Sequence, residues 1–163
     1  MTIIGIDPGT ATTGFGVIQK LKVKSVKCKV EYGVLSYGAI TTSPSMPSEE
    51  RLEKIYREIS KLLKKYKPDL LVIEKVFFFK NLKTALPVSE ARGVILLAGA
   101  NAKAEIKELT PLEIKMGICG YGRAKKPQVQ RMVQEILNIK EKIKPDDAAD
   151  ALAAALCGSR LVK

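Results

Sequence analysis

Leu70-Leu71-Val72-Ile73 is a fully apolar run closed by an acid, Glu74, and no other stretch constrains the fold more. Bounded by Lys67-Pro68-Asp69 before it and a carboxylate after it, the run reads as a short strand. Ile3 to Asp7 repeats the design, an apolar run that stops at an Asp-Pro-Gly turn, and it reads as a buried strand. A charge at the edge of a buried sheet is costly unless it is paired or metal-bound. Ligand sites in open α/β sheets also favour the carboxyl ends of strands. Asp7 and Glu74, each at such an end, are therefore the first candidate site residues.

The remaining segments supply partners for these two strands. Gly14 to Ile18 and Val30 to Ile40 read as strands that small turns would join to the first in an antiparallel meander. After a Thr/Ser/Pro loop, Ser48-Glu49-Glu50 has a capping hydroxyl followed by acids, the signature of a helix start. Leu52, Ile55, Tyr56, Ile59, Leu62 and Leu63 continue that helix at amphipathic spacing until Lys67-Pro68-Asp69. A long apolar helix is expected after Glu74, running to about Lys103, with its start left open by Pro87. Glu105 to Leu109 reads as a fifth strand. Thr110-Pro111 opens a short helix, Gly117 to Gly122 reads as a loop, and Pro127 to Leu137 as a helix. Pro145-Asp146-Asp147 starts a last helix, rich in alanine, to about Leu156. The order β-β-β-α-β-α-β-α-α describes one α/β domain over 1–163 with a mixed sheet and, at its end, a short flexible tail.

Composition narrows the chemistry. The net charge is +11, and a basic excess favours polyanionic partners, because each phosphate neutralised releases a condensed counterion. The chain contains 0 histidines, which removes imidazole bases and every His-ligated metal site. A metal here would sit among oxygen ligands, which suits Mg²⁺ or Mn²⁺ rather than Zn²⁺. Cys28, Cys119 and Cys157 form no CxxC pair and read as reduced thiols. With no leader and no apolar run of about 20 residues, the expectation is a cytoplasmic protein without a membrane partner.

Asp147 and Asp150 are three apart at the start of the last helix, so both project from one face. A helix otherwise made of Ala and Leu packs closely on something, and if that is the sheet, its acids meet Asp7 and Glu74. Asp146, four before Asp150, competes for the same role, although an acid in a first helical turn ordinarily just complements the dipole. Four gathered carboxylates repel one another and call for cations. Two Mg²⁺ ions roughly 3.5–4 Å apart would neutralise them and act on a phosphodiester.

These residues resemble a known family. Gly5-Ile6-Asp7-Pro8-Gly9-Thr10 followed by Gly14-Phe15-Gly16-Val17-Ile18 looks like the opening of the RuvC Holliday-junction resolvases. Ile73-Glu74-Lys75-Val76-Phe77, Ala91-Arg92-Gly93, Gln128-Val129-Gln130 and Asp147-Ala148-Ala149-Asp150-Ala151-Leu152 follow in the family's order, to about Leu156. The resemblance implies an RNase H-like fold with a mixed five-stranded sheet flanked by helices. It also implies a homodimer that cuts two opposed strands of a four-way DNA junction, and possible hand-over from a branch-migration motor. It puts the catalytic, metal-binding role on Asp7, Glu74, Asp147 and Asp150, with two Mg²⁺ per site or Mn²⁺ in their place, and leaves Asp146 as the dipole residue.

The same likeness matches Phe77 to an aromatic used near distorted junction bases, while core packing remains the alternative for at least one of Phe77, Phe78 and Phe79. Lys115 and Lys126 fall where the family has basic residues important for activity. Arg92 faces either DNA or a helix neighbour. Arg123 and Lys125 belong to a Gly117–Lys126 stretch that reads as a mobile basic loop at the DNA surface. The dimer is implied to form through the long helix after Glu74, whose Ala91, Val94, Ile95, Ala98 and Ala102 face, with Gly99, equally suits a buried core helix. Actin-like and Hsp70-like ATPases share the Gly-Ile-Asp opening but need two lobes, for which 163 residues are too few. The alternatives are a related RNase H-like nuclease that processes ribosomal RNA precursors and an inactive DNA-binding module.

Overall fold

The computed structural model describes residues 1–21, 30–75 and 82–161, with the backbone alone at 82–84. Its elements are β1 (Thr2–Asp7), β2 (Thr12–Leu21), β3 (Glu31–Thr41), α1 (Ser48–Tyr66), β4 (Leu70–Glu74) and α2 (Leu82–Asn101). They continue with β5 (Glu105–Leu109), α3 (Pro111–Cys119), α4 (Lys126–Leu137) and α5 (Asp146–Leu161). The strands lie in the order β3-β2-β1-β4-β5. β1 to β3 form the expected antiparallel meander, whereas β1, β4 and β5 run parallel. The result is the mixed five-stranded sheet the sequence implied, with helices on both faces.

The side-chain period of two divides the strands between two cores. Ile3, Leu70 and Val72 face one way and pack with Ile114, Val133 and Leu152 from α3, α4 and α5. Ile4, Ile6, Leu71 and Ile73 face the other way and pack with Ile55, Ile59 and Ile95 from α1 and α2. Each of these side chains is almost wholly buried, and burial of one Ile or Leu contributes about 1.5–3 kcal/mol. The same parity governs the two acids. Asp7 follows Ile3 and Gly5, and Glu74 follows Leu70 and Val72, so both carboxylates emerge on the α5 face. The parallel register pairs Ile6 with Ile73, which brings the next residues, Asp7 and Glu74, level with each other.

Glycines set how closely α5 lies on that face. A Cβ on Gly5 would stand 2.0 Å from the Ala151 carbonyl oxygen and 2.6 Å from the Ala155 nitrogen. One on Gly14 would stand 2.1 Å from the Asp147 carbonyl oxygen. Nothing larger than hydrogen fits between strand and helix at these points. On the helix side Ala151 and Ala155 make the contact with Gly5, and the alanines at 148, 149, 153 and 154 are buried as well. Backbone thus lies on backbone, and Asp147 is held beside Gly14, the residue paired with Asp7.

Several boundaries differ from the sequence expectation. Ser48 does not cap α1; Pro47 occupies the cap position without a side-chain hydrogen bond, and Glu49 and Glu50 complement the dipole in the first turn. Pro87 lies inside α2 without ending it. At the sixth position of the helix, its missing N–H removes a single bond, to the carbonyl of residue 83.

Three helices follow β5, because the one opened by Thr110 runs on to Cys119. The Glu113 N–H donates to Thr110 Oγ1 at 3.1 Å while Glu113 Oε2 accepts the Thr110 N–H at 2.7 Å, a complete capping box. Gly117 is therefore helical rather than part of a loop; a Cβ there would meet Cys157 Sγ at 2.5 Å.

α5 continues past Leu156 to Leu161 because Cys157, Gly158 and Ser159 remain buried. Lys20 closes its last turn by donating from Nζ to the Ser159 carbonyl at 2.9 Å.

Candidate active site

At the carboxyl ends of β1 and β4, under the first turns of α5, lies a cleft of about 310 Å³. Asp7, Glu74 and Asp150 line it with two lysines, Lys115 from α3 and Lys126 from α4. Pro111, Ile114, Val129 and Ala153 form its apolar walls. A wider hollow of about 560 Å³ between α1 and α2, with Tyr56, Lys64 and Asn101 in its lining, contains no carboxylate. Chemistry, not size, singles out the smaller cleft.

The electrostatics of the acids follow from their burial. Asp7 is pushed up from 3.8 to about 8, first by desolvation and then by repulsion from Glu74, Asp150 and Asp147, with Lys126 opposing. Glu74 is pushed up to about 7, again first by desolvation, then by Asp150, against the pull of Lys115 and Lys126. Two half-buried carboxylates with raised pKa values describe a site short of positive charge. Lys126 supplies part of it: its Nζ lies 2.8 Å from Asp150 Oδ2 and 3.8 Å from Asp146 Oδ2. Burial disfavours the Lys126 ammonium, but the Asp150 hydrogen bond and the charges of Asp150, Asp146 and Asp147 outweigh it and raise its pKa.

All four candidate acids are thus neighbours, although they do not enter the site equally. Asp147 does not line the cleft and acts on Asp7 through its charge. As the side chains stand, no group of three among the described residues is arranged to hold a metal ion. Asp150 faces the Lys126 ammonium instead. The donor set nevertheless fits a hard divalent cation. It is all oxygen, in a chain with 0 histidines, and two of its members are half-buried and repel each other.

The basic candidates separate. Lys115 and Lys126 lie at the cleft, and Arg123 and Lys125 stand exposed in the turn between α3 and α4. The Lys125 backbone N–H donates to Gln128 Oε1 at 2.8 Å and so opens α4. Arg92 faces β5: its Nε donates to Glu108 Oε1 at 2.6 Å. Phe77 lies outside the described residues. Sequence reasoning missed the apolar walls of the cleft and the Lys126–Asp150 pair. The walls had a signal in Thr110-Pro111, which starts α3 at the cleft edge; the pair had none, since 24 positions separate its members.

The sequence matches the family described as crossover junction endodeoxyribonuclease RuvC over residues 3–158. The chain belongs to the RuvC family. A RuvC of Fusobacterium nucleatum is 51% identical across 96% of this chain and 78% of its own length. The Thermus thermophilus RuvC structure superposes with a TM-score of 0.88 at 32% identity, covering 98% of this chain and 93% of that one. The T. thermophilus RuvC in complex with Holliday junction substrate gives 0.86 at 28% identity, covering 99% and 97%. The sheet and its flanking helices are accordingly the RNase H-like fold of RuvC, as the motifs implied.

Proposed function

We propose that this chain is a crossover-junction endodeoxyribonuclease that resolves four-way DNA junctions by symmetric, Mg²⁺-dependent hydrolysis of two opposed strands. The observation that carries the proposal is the cleft, where two half-buried, mutually repelling carboxylates meet Asp150 and two lysines in a chain of the RuvC family. Asp7, Glu74, Asp147 and Asp150 are its metal-holding catalytic acids. Two Mg²⁺ ions, or Mn²⁺, would supply when bound an activated water and charge neutralisation at the leaving oxygen.

The protein's own groups do the rest. Lys115 and Lys126 draw the phosphate to the cleft mouth, and Ile114, Val129 and Pro111 keep bulk water from its walls. Asp150 would be a ligand of the cation, and the Lys126 ammonium, now 2.8 Å from its Oδ2, would then be available to a DNA phosphate. Arg123 and Lys125, exposed beside the cleft, extend the same electrostatic surface, and Phe77 is proposed to meet distorted bases. Arg92 instead holds α2 to β5 through Glu108. Hand-over of the junction from a branch-migration motor in the cytoplasm belongs to the same proposal. Among the described residues no helix is long and apolar enough to cross a membrane.

Paired cuts require two equivalent sites, and a homodimer provides them. The expected interface does not survive unchanged. Ala91, Ile95 and Ala98 are buried in the chain's own core, and a Cβ on Gly99 would meet Leu71 Cδ2 at 2.7 Å. That face of α2 is occupied by the sheet. The outward face carries exposed Leu86 and Leu97, with open space around Gly93, and we assign the dimer contact to it. Leu86→Asp with Leu97→Asp is expected to give a monomer in sedimentation with unchanged helical content. A dimer that persists would move the contact elsewhere.

The deciding assay is cleavage of a labelled four-way junction with a mobile core, beside linear duplex and an RNA–DNA hybrid, in Mg²⁺ or EDTA. Symmetric Mg²⁺-dependent cuts near the crossover, absent from duplex, are expected. Cleavage of the hybrid alone would transfer the function to RNA processing, and binding without cutting would make the chain an inactive module.

A further inference from the structure

Lys126 is the first residue of α4 and Asp146 the first of α5, and their side chains meet beside the carboxylate cleft. Lys126 Nζ lies 2.8 Å from Asp150 Oδ2, a hydrogen bond, and 3.8 Å from Asp146 Oδ2, too far for one. Asp146 and Asp150 are four positions apart and so are neighbours on α5, where like charges repel. One ammonium set against both relieves that repulsion. Lys126 depends on them in turn, because the positive end of the α4 dipole disfavours a cation in its first turn.

The two acids differ in their tie to the site. Asp150 lines the cleft and repels both Asp7 and Glu74. The carboxylates that repel Asp7 are Glu74, Asp150 and Asp147, whereas the charge of Asp146 is felt at Lys126. The Lys126–Asp146 pair is open to solvent, with side chains 49% and 52% exposed, and a pair of this kind contributes little to stability. Complementing the α5 dipole accounts for an acid at position 146 but not for the ammonium that faces it. That ammonium sits on a flexible four-carbon stem and has three N–H donors, so it can change carboxylate partners without leaving the cleft.

We infer that Asp146 is a positioning residue: it is the seat that keeps the Lys126 ammonium at the cleft when Asp150 serves as a metal ligand. The inference rests on the metal-holding role proposed for Asp150. With Asp146 present, an ammonium released by Asp150 retains a carboxylate partner and stays in reach of a DNA phosphate. Without Asp146, the same release leaves Lys126 unpaired at the positive end of α4, and that cost weakens cation binding.

The test is a double-mutant cycle read by calorimetry of Mg²⁺ binding to the DNA-free protein. It compares the wild type, Asp146→Asn, Lys126→Met and the two changes combined, with Asp146→Glu as the conservative variant. Asp146→Asn is expected to weaken Mg²⁺ binding about fivefold, a coupling of the size found between charged groups in contact. Asp146→Glu, which keeps the carboxylate, should stay within about twofold of the wild type. In the Lys126→Met background the change to Asn should cost less than about twofold, because the group it acts through is gone.

An equal loss in both backgrounds would make Asp146 a direct contributor to the field at the metal site and overturns the inference. Unchanged Mg²⁺ affinity in Asp146→Asn, with or without a fall in Tm, overturns it as well and leaves Asp146 to the helix dipole. Junction cleavage by the wild type is measured alongside. If the coupling is present but no junction is cut, the resolvase reading fails and the positioning role stands. If junctions are cut and the coupling is absent, only the positioning role fails. A wild type that binds no Mg²⁺ overturns the metal-holding acids and the seat for Lys126 together.

Discussion

Replacing Asp7 by Asn is expected to abolish junction cleavage while making the metal-free protein more stable at alkaline pH. The two effects share one cause. Asp7 is a half-buried carboxylate among three others, and its pKa is pushed up to about 8 in the fold against 3.8 as the ordinary value. The folded state therefore binds the proton more tightly than the unfolded chain. Between these two values the folded protein holds a proton that the unfolded chain has lost, so stability falls as pH rises across that window. Above about pH 8 the full cost of the buried charge is present. Asn has no proton to lose and escapes this cost.

The gain at about pH 9 is on the order of 3–5 kcal/mol at most, since one pKa unit corresponds to about 1.4 kcal/mol. In a protein of this size it should raise Tm by roughly 10 °C. Mg²⁺ should reverse the order, stabilising the wild type by binding the folded state and leaving the variant little affected. Cleavage should fall by about 10³-fold or more, because a lost metal ligand removes several kcal/mol of transition-state stabilisation at about 1.36 kcal/mol per tenfold. Junction binding in EDTA should survive. Melting curves across pH with and without Mg²⁺ check the first half and the junction assay the second. A wild type whose metal-free Tm is flat between about pH 5 and pH 9 would contradict the buried repulsion, and normal cutting by the variant would remove Asp7 from the metal site.

Gly5→Ala is expected to be among the most destabilising single-methyl changes in the chain. The new Cβ would stand 2.0 Å from the Ala151 carbonyl oxygen, and backbone cannot rotate away as a side-chain tip does. α5 must lift from β1, which loosens the close packing of alanines along its length. Overpacking of this kind typically costs 1–3 kcal/mol, and here about 3 kcal/mol or more is expected because both offending groups are main chain. The same movement carries Asp147 and Asp150 away from Asp7 and Glu74. Cleavage and Mg²⁺ stabilisation should therefore weaken beyond what the loss of Tm explains. Gly33→Ala is the matched control: a Cβ there meets nothing within 4 Å, so stability should stay within about 0.5 kcal/mol. Equal Tm values for the two variants would disprove the tight seat of α5.

Much of this was legible in the residues. The apolar runs ending at Asp7 and Glu74 announced two buried strands with a carboxylate at each carboxyl end. The period of two then put both acids on one face, because each is an even step from a residue packed against α5. The alanine-rich run after Asp146 announced a helix in close contact, and Thr110-Pro111 the start of α3. These readings depend on neighbours within a few positions, which is the range over which period, capping and turn chemistry operate.

Other features depended on which surfaces meet. Ser48 has a capping residue's chemistry, but Pro47 takes the cap. The Ala91–Ile95–Ala98 face of α2 suited a partner helix or a sheet equally; only packing shows the sheet against it and Leu86 and Leu97 left outside. α5 outran its expected end because Cys157 to Ser159 remain covered by the core. The Lys126–Asp150 pair likewise had no local signature.

The sequence by itself determined the family and the order of the strands, and singled out four acids as candidates, because local pattern and motif record which residues must be buried and which must bear charge. Only the tertiary structure decided that α5 rests on glycine, that Lys126 pairs with Asp150, and which side of α2 is free. Distance between residues far apart in the chain is set by the packing of whole elements, and no short stretch of sequence contains it.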